Sequence, residues 1–158
     1  MKYRLLTNAE LKELEEDFKH FLIANQVYDD EWVRLNKTDD KKVMELIELF
    51  SDIVFEKALK NIKFLEFVSA KSVSAFFCAD HEMVLIGVTS DNEEVDFTKN
   101  ALDDFKNELT IFRTTKPYIK TREEEVFGLI ESGCSIISEE RFKRLELAFN
   151  LSKKTSQN

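Results

Sequence analysis

The stretch FLEFVSAKSVSAFFCADHEMVLIGV, residues 64–88, sets the fold class. Upstream of it apolar residues recur every three or four positions; inside it the period falls to two. Phe64–Val68, Val73–Cys78 and Met83–Val88 therefore read as three short strands, rich in β-branched and aromatic types. The turns between them, Ala70-Lys71-Ser72 and Ala79-Asp80-His81-Glu82, are far too short for a parallel crossover. The strands must then form an antiparallel meander. Phe76-Phe77 and Val84-Leu85-Ile86 are apolar on both alternations, so helices are expected on both sheet faces.

Outward from this stretch the period is helical. Thr7-Asn8-Ala9-Glu10 is a capping box, followed by Leu11, Leu14, Phe18, Phe21 and Leu22 on one stripe, which predicts one helix of about five turns. A short helix over Asp30–Leu35 is anchored by Trp32 and Leu35. A longer one over Asp40–Ile62 carries Val43, Leu46, Ile47, Phe50, Ile53 and Val54 on a first stripe, then Phe55, Ala58, Leu59 and Ile62 on a rotated one. A rotating stripe predicts two successive packing partners.

Downstream, Ala101, Leu102, Phe105, Leu109 and Phe112 suggest a helix that breaks at Pro117. Thr121-Arg122-Glu123-Glu124 opens another, through Val126, Phe127 and Ile130 to a stop at Gly133. Ser138 caps the last, with Phe142, Leu145 and Phe149 as its stripe. The expected fold is α+β: three helices, a three-stranded antiparallel meander, three helices. It is read as a single domain over residues 1–152, with 153–158 a polar, disordered tail.

Three Gly and one Pro in 158 residues fall far below the ~12% average usage of these two residues. That disfavours glycine-rich phosphate loops and turn-dense sandwiches. A formal net charge of −8 opposes general nucleic-acid binding. Met1–Leu6 carries two cations without an apolar run behind them, so neither a signal peptide nor a membrane span is expected. Two cysteines without a disulfide framework point to the cytoplasm.

The opening Met1-Lys2-Tyr3-Arg4-Leu5, the run Glu48-Leu49-Phe50-Ser51-Asp52 leading into Phe64-Leu65-Glu66, and the closing Leu85-Ile86-Gly87 together resemble a family of roughly 160-residue bacterial proteins known only as a domain of unknown function. The resemblance implies a cytoplasmic protein of bacteria such as the Bacteroidetes, and no activity. Locally, Gly133, Ile137, Ser138, Glu139, Glu140 and Phe142 are similar to a helical-hairpin motif at the ends of many bacterial proteins. That likeness would imply an oligomerisation or docking element.

Several clusters invite chemistry. Cys78-Ala79-Asp80-His81 offers two zinc-type ligands, but the remaining candidates, His20 and Cys134, come from distant elements; no metal site is assigned. Asp17-x-x-His20 has di-metal spacing without the second copy such bundles need. Ser51-Asp52 sits mid-helix, with no nucleophile elbow around it. Asp91-Asn92-Glu93-Glu94 with Asp96 lacks a calcium-loop register; turn formation explains it. The exception to the acidic balance is residues 113–122, where Arg113, Lys116, Lys120 and Arg122 surround Tyr118 with no acid between them. Read as a loop, it is the candidate ligand-binding segment for a small phosphorylated or nucleotide ligand. Against this stands the ordinary role of such cations at a helix C-terminus.

The functional expectation is a non-enzymatic protein-interaction module, self-associating or bound to a protein partner, with no cofactor. Its contact surface would be a sheet face or the C-terminal hairpin. The alternative is a binder or modest enzyme for an anionic small molecule at residues 113–122.

Overall fold

The computed structural model describes residues 1–105 and 108–156. The chain divides into two compact units, Met1–Leu59 and Lys60–Asn158.

The first unit is helical, with α1 (Asn8–Glu13), α2 (Glu15–Ala24), α3 (Asp29–Thr38) and α4 (Asp40–Lys60). Thr7 and Glu10 close the expected capping box. The single five-turn helix does not form: the ladder breaks at Leu14 (φ −101°, ψ 22°). The two halves have different anchors. α1 buries no residue and is held by Arg4, whose guanidinium grips Glu10 with two 2.9 Å bonds. α2 instead joins a core of Leu22, Val27, Leu35 and Leu46, bordered by Phe18, Phe21, Trp32 and Val43. Phe18 meets Trp32 edge-on at 5.3 Å and Phe50 at 4.9 Å, geometries aromatic rings favour. The α2–α3 turn is a Schellman cap with Gln26 at φ 61°, the place usually given to glycine. Val27 donates to the Leu22 carbonyl at 2.8 Å and Gln26 to that of Ile23 at 2.9 Å, bringing Val27 and Leu22 into the same core.

Of the rotated stripe of α4, Phe55 meets a second partner, the chain start at Tyr3 and Arg4, and its neighbours Ser51, Asp52 and Glu56 join it there. The Asp52 carboxylate accepts the backbone N–H groups of Lys2 and Tyr3, the Tyr3 hydroxyl donates to Glu56 at 2.6 Å, and the Leu6 N–H donates to the fully buried Ser51 hydroxyl at 3.1 Å. Arg4 lies over the Phe55 ring at 4.8 Å, in cation–π contact. Ile53, placed on the first stripe by its spacing, is about half exposed, as is Leu49.

The second unit holds β1 (Phe64–Val68), β2 (Ser72–Cys78), β3 (Glu82–Ser90), β4 (Leu109–Pro117), α5 (Arg122–Glu131), β5 (Ser135–Ile136) and α6 (Glu139–Ser156). The three meander strands lie where the sequence puts them, all antiparallel. Among the described residues, however, the sheet has five strands, in the order β4-β3-β2-β1-β5. Among the described residues the expected helix over Ala101–Phe112 does not form: Leu102–Phe105 makes one 3₁₀ turn and Leu109–Pro117 is a strand, while residues 106 and 107 lie outside the described residues. Among the described residues there are thus four α-helices before the meander and two after it.

One sheet face carries Val73, Ala75, Val84, Ile86 and Val88 and packs on Phe142 and Leu145 of α6, with Val95 and Phe97 sealing the core. Phe64, Phe77 and Phe142 cluster with centroids 4.9–5.9 Å apart. α5 starts in the expected capping box and ends in a Schellman turn at Gly133 (φ 103°). There Gly133 comes close to the ring of Phe67, on the opposite sheet face. Ser138 caps α6, accepting from the Arg141 N–H at 3.1 Å. The helix continues to Ser156; residues 157 and 158 of the expected tail lie outside the described residues.

Candidate functional site

The basic segment is a strand and a tight connection, not a loop. Thr110, Ile111, Phe112, Thr114 and Thr115 suit a pleated backbone, and β3 offers them an unfilled edge. The register runs from Ser90 opposite Leu109 to Glu82 opposite Pro117. Phe112 lays its ring across Gly87 so closely that a Cβ there would fall 2.1 Å from Cζ. The absent side chain on β3 is what seats this ring.

The ladder also fixes which backbone groups of β4 point outward. The Cys78 N–H donates to the Lys63 carbonyl and the Ser69 N–H to that of Ser72, so even-numbered residues of β2 face β1. Alternating across the antiparallel registers, odd residues of β3 and even residues of β4 face each other. Leu109, Ile111, Arg113 and Thr115 therefore turn their N–H and C=O groups away from the sheet. Among the described residues no strand lies beyond them. Pro117, which has no N–H to offer, ends the row. From Phe112 to Pro117 every residue is exposed.

The five residues singled out in the sequence separate into two groups. Arg113 and Lys116 stand on opposite faces of β4, and Lys120 is exposed in the connection to α5. None of these three is ion-paired among the described residues. Tyr118 and Arg122 turn inward to serve the fold. The Tyr118 hydroxyl donates to the Ala79 carbonyl at 2.7 Å, and burial pushes it up to about 12. Arg122 donates to the carbonyls of Cys78 (3.1 Å) and Ile62 (2.5 Å) and pairs with Glu123 at 3.4 Å, its side chain only 10% exposed. The two side chains tie the β2–β3 turn to the start of α5. Glu125 holds the connection from below, accepting the N–H groups of Ile119 and Lys120.

The remaining clusters are similarly absorbed by structure. Cys78 is buried, and burial pushes its thiol up to about 11, against the opposing pull of Arg122. So shielded a thiol is a poor nucleophile at neutral pH. His81 is exposed in the β2–β3 turn, and Asp17 and His20 are exposed on α2. In the acidic loop, Lys71 fills the centre by donating to the carbonyls of Glu93 (2.5 Å) and Val95 (2.7 Å), while Asp96 accepts from Thr98. Among the described residues no three His, Cys, Asp or Glu side chains converge as a metal site would require. No described helix is long and apolar enough to cross a membrane.

A groove of about 440 Å³ in the helical unit was not visible in the sequence. It runs between α2 and α3, lined by Phe18, Trp32, Tyr28 and Ile23. Its signal in the sequence would have been Tyr28 and Ile23, apolar residues on no predicted stripe and more than half exposed.

No curated protein and no solved structure matches the chain significantly. A family model matches residues 1–150, which include Lys2–Leu6, Ser51, Asp52 and the whole of the β4 edge. The chain belongs to the family of unknown function DUF6495.

Proposed function

We propose that this chain is a non-enzymatic protein-interaction module and that its docking element is the outer edge of β4. One observation carries the reading: a nine-residue edge strand with outward backbone groups at Leu109, Ile111, Arg113 and Thr115 and nothing described beside it. An open edge of this kind accepts an extended strand, main-chain hydrogen bonds giving affinity and alternate side chains specificity. The two free thiols agree with a reducing, cytoplasmic setting.

Thr115→Pro tests this, because it removes an outward N–H and spares the ladder to β3. Wild-type protein should retain a protein from native extract, its own copy included, and the folded variant should lose it. Equal retention by both would refute the reading.

A second reading keeps a small anionic ligand, supported by Arg113, Lys116 and Lys120 standing exposed within eight residues with no acid against them. It requires phosphate or a nucleotide to raise the thermal midpoint, and Lys116→Glu with Lys120→Glu to abolish the rise.

A further inference from the structure

We infer that the strand docked on β4 is β4 of a second copy, antiparallel across a two-fold axis that passes between the two Phe112 residues. The inference rests on β4 being the docking edge and adds the identity and register of its occupant.

The backbone restricts the choice first. Only odd residues point outward, so in a symmetric pair odd residues must exchange hydrogen bonds with odd residues. With Phe112 opposite Phe112, Ile111 meets Arg113 and Leu109 meets Thr115 of the second copy. Those are the residues whose N–H and C=O groups are turned outward. The Phe112 pair then occupies a non-hydrogen-bonded position, where side chains approach most closely.

The side chains choose among the registers that remain. In this one, Lys116 stands opposite Glu108 of the second copy and Thr110 opposite Thr114, twice over by symmetry. Opposite charges and Thr–Thr neighbours are favourable cross-strand pairs. Sliding the copies by one step either way separates Lys116 from Glu108, and one of those slides sets Arg113 directly against Arg113. Glu108 is exposed, with one carboxylate oxygen accepting from Asn92 at 2.7 Å, which fixes it at the end of the strand. Phe112 is 43% exposed on the face away from α6, and its ring leans back over Gly87, so the two rings leave the axis clear for the strands to pair. A foreign strand without an acid at this position would leave Lys116 unpaired, which is how edge lysines deter indiscriminate pairing. A second copy brings that charge with it.

The test uses the full chain. Sedimentation should show a concentration-dependent dimer. Lys116→Glu and Glu108→Lys should each weaken it at least about tenfold, and the two together should restore it. In a Cys134→Ser background under mild oxidation, Phe112→Cys should cross-link to itself. Thr110→Cys and Thr114→Cys should cross-link when mixed but not alone, since only opposed Cα atoms lie within disulfide reach. A dimer indifferent to the charge swap, or Thr114→Cys cross-linking alone as readily as Phe112→Cys, would overturn the register. A monomer at every concentration would overturn self-pairing. If that monomer still retained another protein in a Thr115→Pro-sensitive manner, the docking edge would stand and only the occupant would be wrong.

Discussion

Ser51 and Asp52 look like a nucleophile with a neighbouring acid, and the structure gives them a different task. The Ser51 hydroxyl is fully buried and receives the Leu6 N–H, so it replaces water for a backbone donor that has no other partner nearby. Ser51→Ala removes that acceptor without adding volume and should cost about 1–3 kcal/mol, the range for stranding a buried polar group. Urea denaturation at constant m-value measures it; a loss within error of zero would mean that residues 1–6 are not held this way. Glu10 is tied to the same segment. Hydrogen bonds from the Arg4 guanidinium, then from the Thr7 amide, bring its carboxyl down to about 2 from 4.5. A depressed carboxylate contributes stability that is whole above 4.5 and disappears as pH falls toward about 2. The wild-type thermal midpoint should therefore decline across that window more steeply than that of Glu10→Gln. Because the pair is exposed, salt should narrow the difference. Parallel acid limbs would show the pair to be inert. The capping box at Glu10 was read from the sequence; the ties from Arg4 to Glu10 and from Leu6 to Ser51 were not, because nothing local relates residues 2–6 to residues 51–56.

At the scale of elements, legibility followed how far a segment is governed by its own residues. The capping boxes at Thr7 and Thr121, the stop at Gly133 and the cap at Ser138 are local chemistry, and all are present as read. The meander was legible because its turns are short enough to dictate pairing. β4 was not. Leu109 and Phe112 are three apart, which satisfies a helical stripe as well as it satisfies two positions of a strand. What decided between them was the edge of β3, nineteen residues earlier at its nearest register, Ser90 with Leu109. The β-branched run Thr110-Ile111, Thr114-Thr115 was the available clue. The two-residue β5, pairing Ile136 with Leu65, leaves no periodicity to detect. The same error hid the candidate site: read as a loop, residues 113–122 present five functional groups together, whereas strand alternation and two inward hydrogen bonds divide them. A basic loop suggests a ligand; an edge strand offers its outward backbone groups, and its lysines restrict which strand can take them.

At the scale of the whole molecule, a single domain over residues 1–152 was expected from the lack of any linker; within it the chain gathers into two compact units, each with its own buried cluster. No Gly or Pro marks the boundary between the units, which falls in the last turn of α4. Size makes the two halves unequal. A domain of about 60 residues buries only ~60% of its extended-chain surface, close to the limit for independent stability, and the sheet unit is much larger. Residues 60–158 expressed alone should therefore melt cooperatively with the circular dichroism of a mixed sheet and helix fold, while residues 1–59 alone should melt broadly and at lower temperature. Since β4 belongs entirely to the larger fragment, that fragment should also inherit the concentration-dependent sedimentation of the full chain. A fragment 60–158 that binds apolar dye and unfolds without cooperativity would refute its independence. Cooperative folding without association would instead place a necessary part of the contact in the helical unit, and would direct attention to the aromatic groove between α2 and α3.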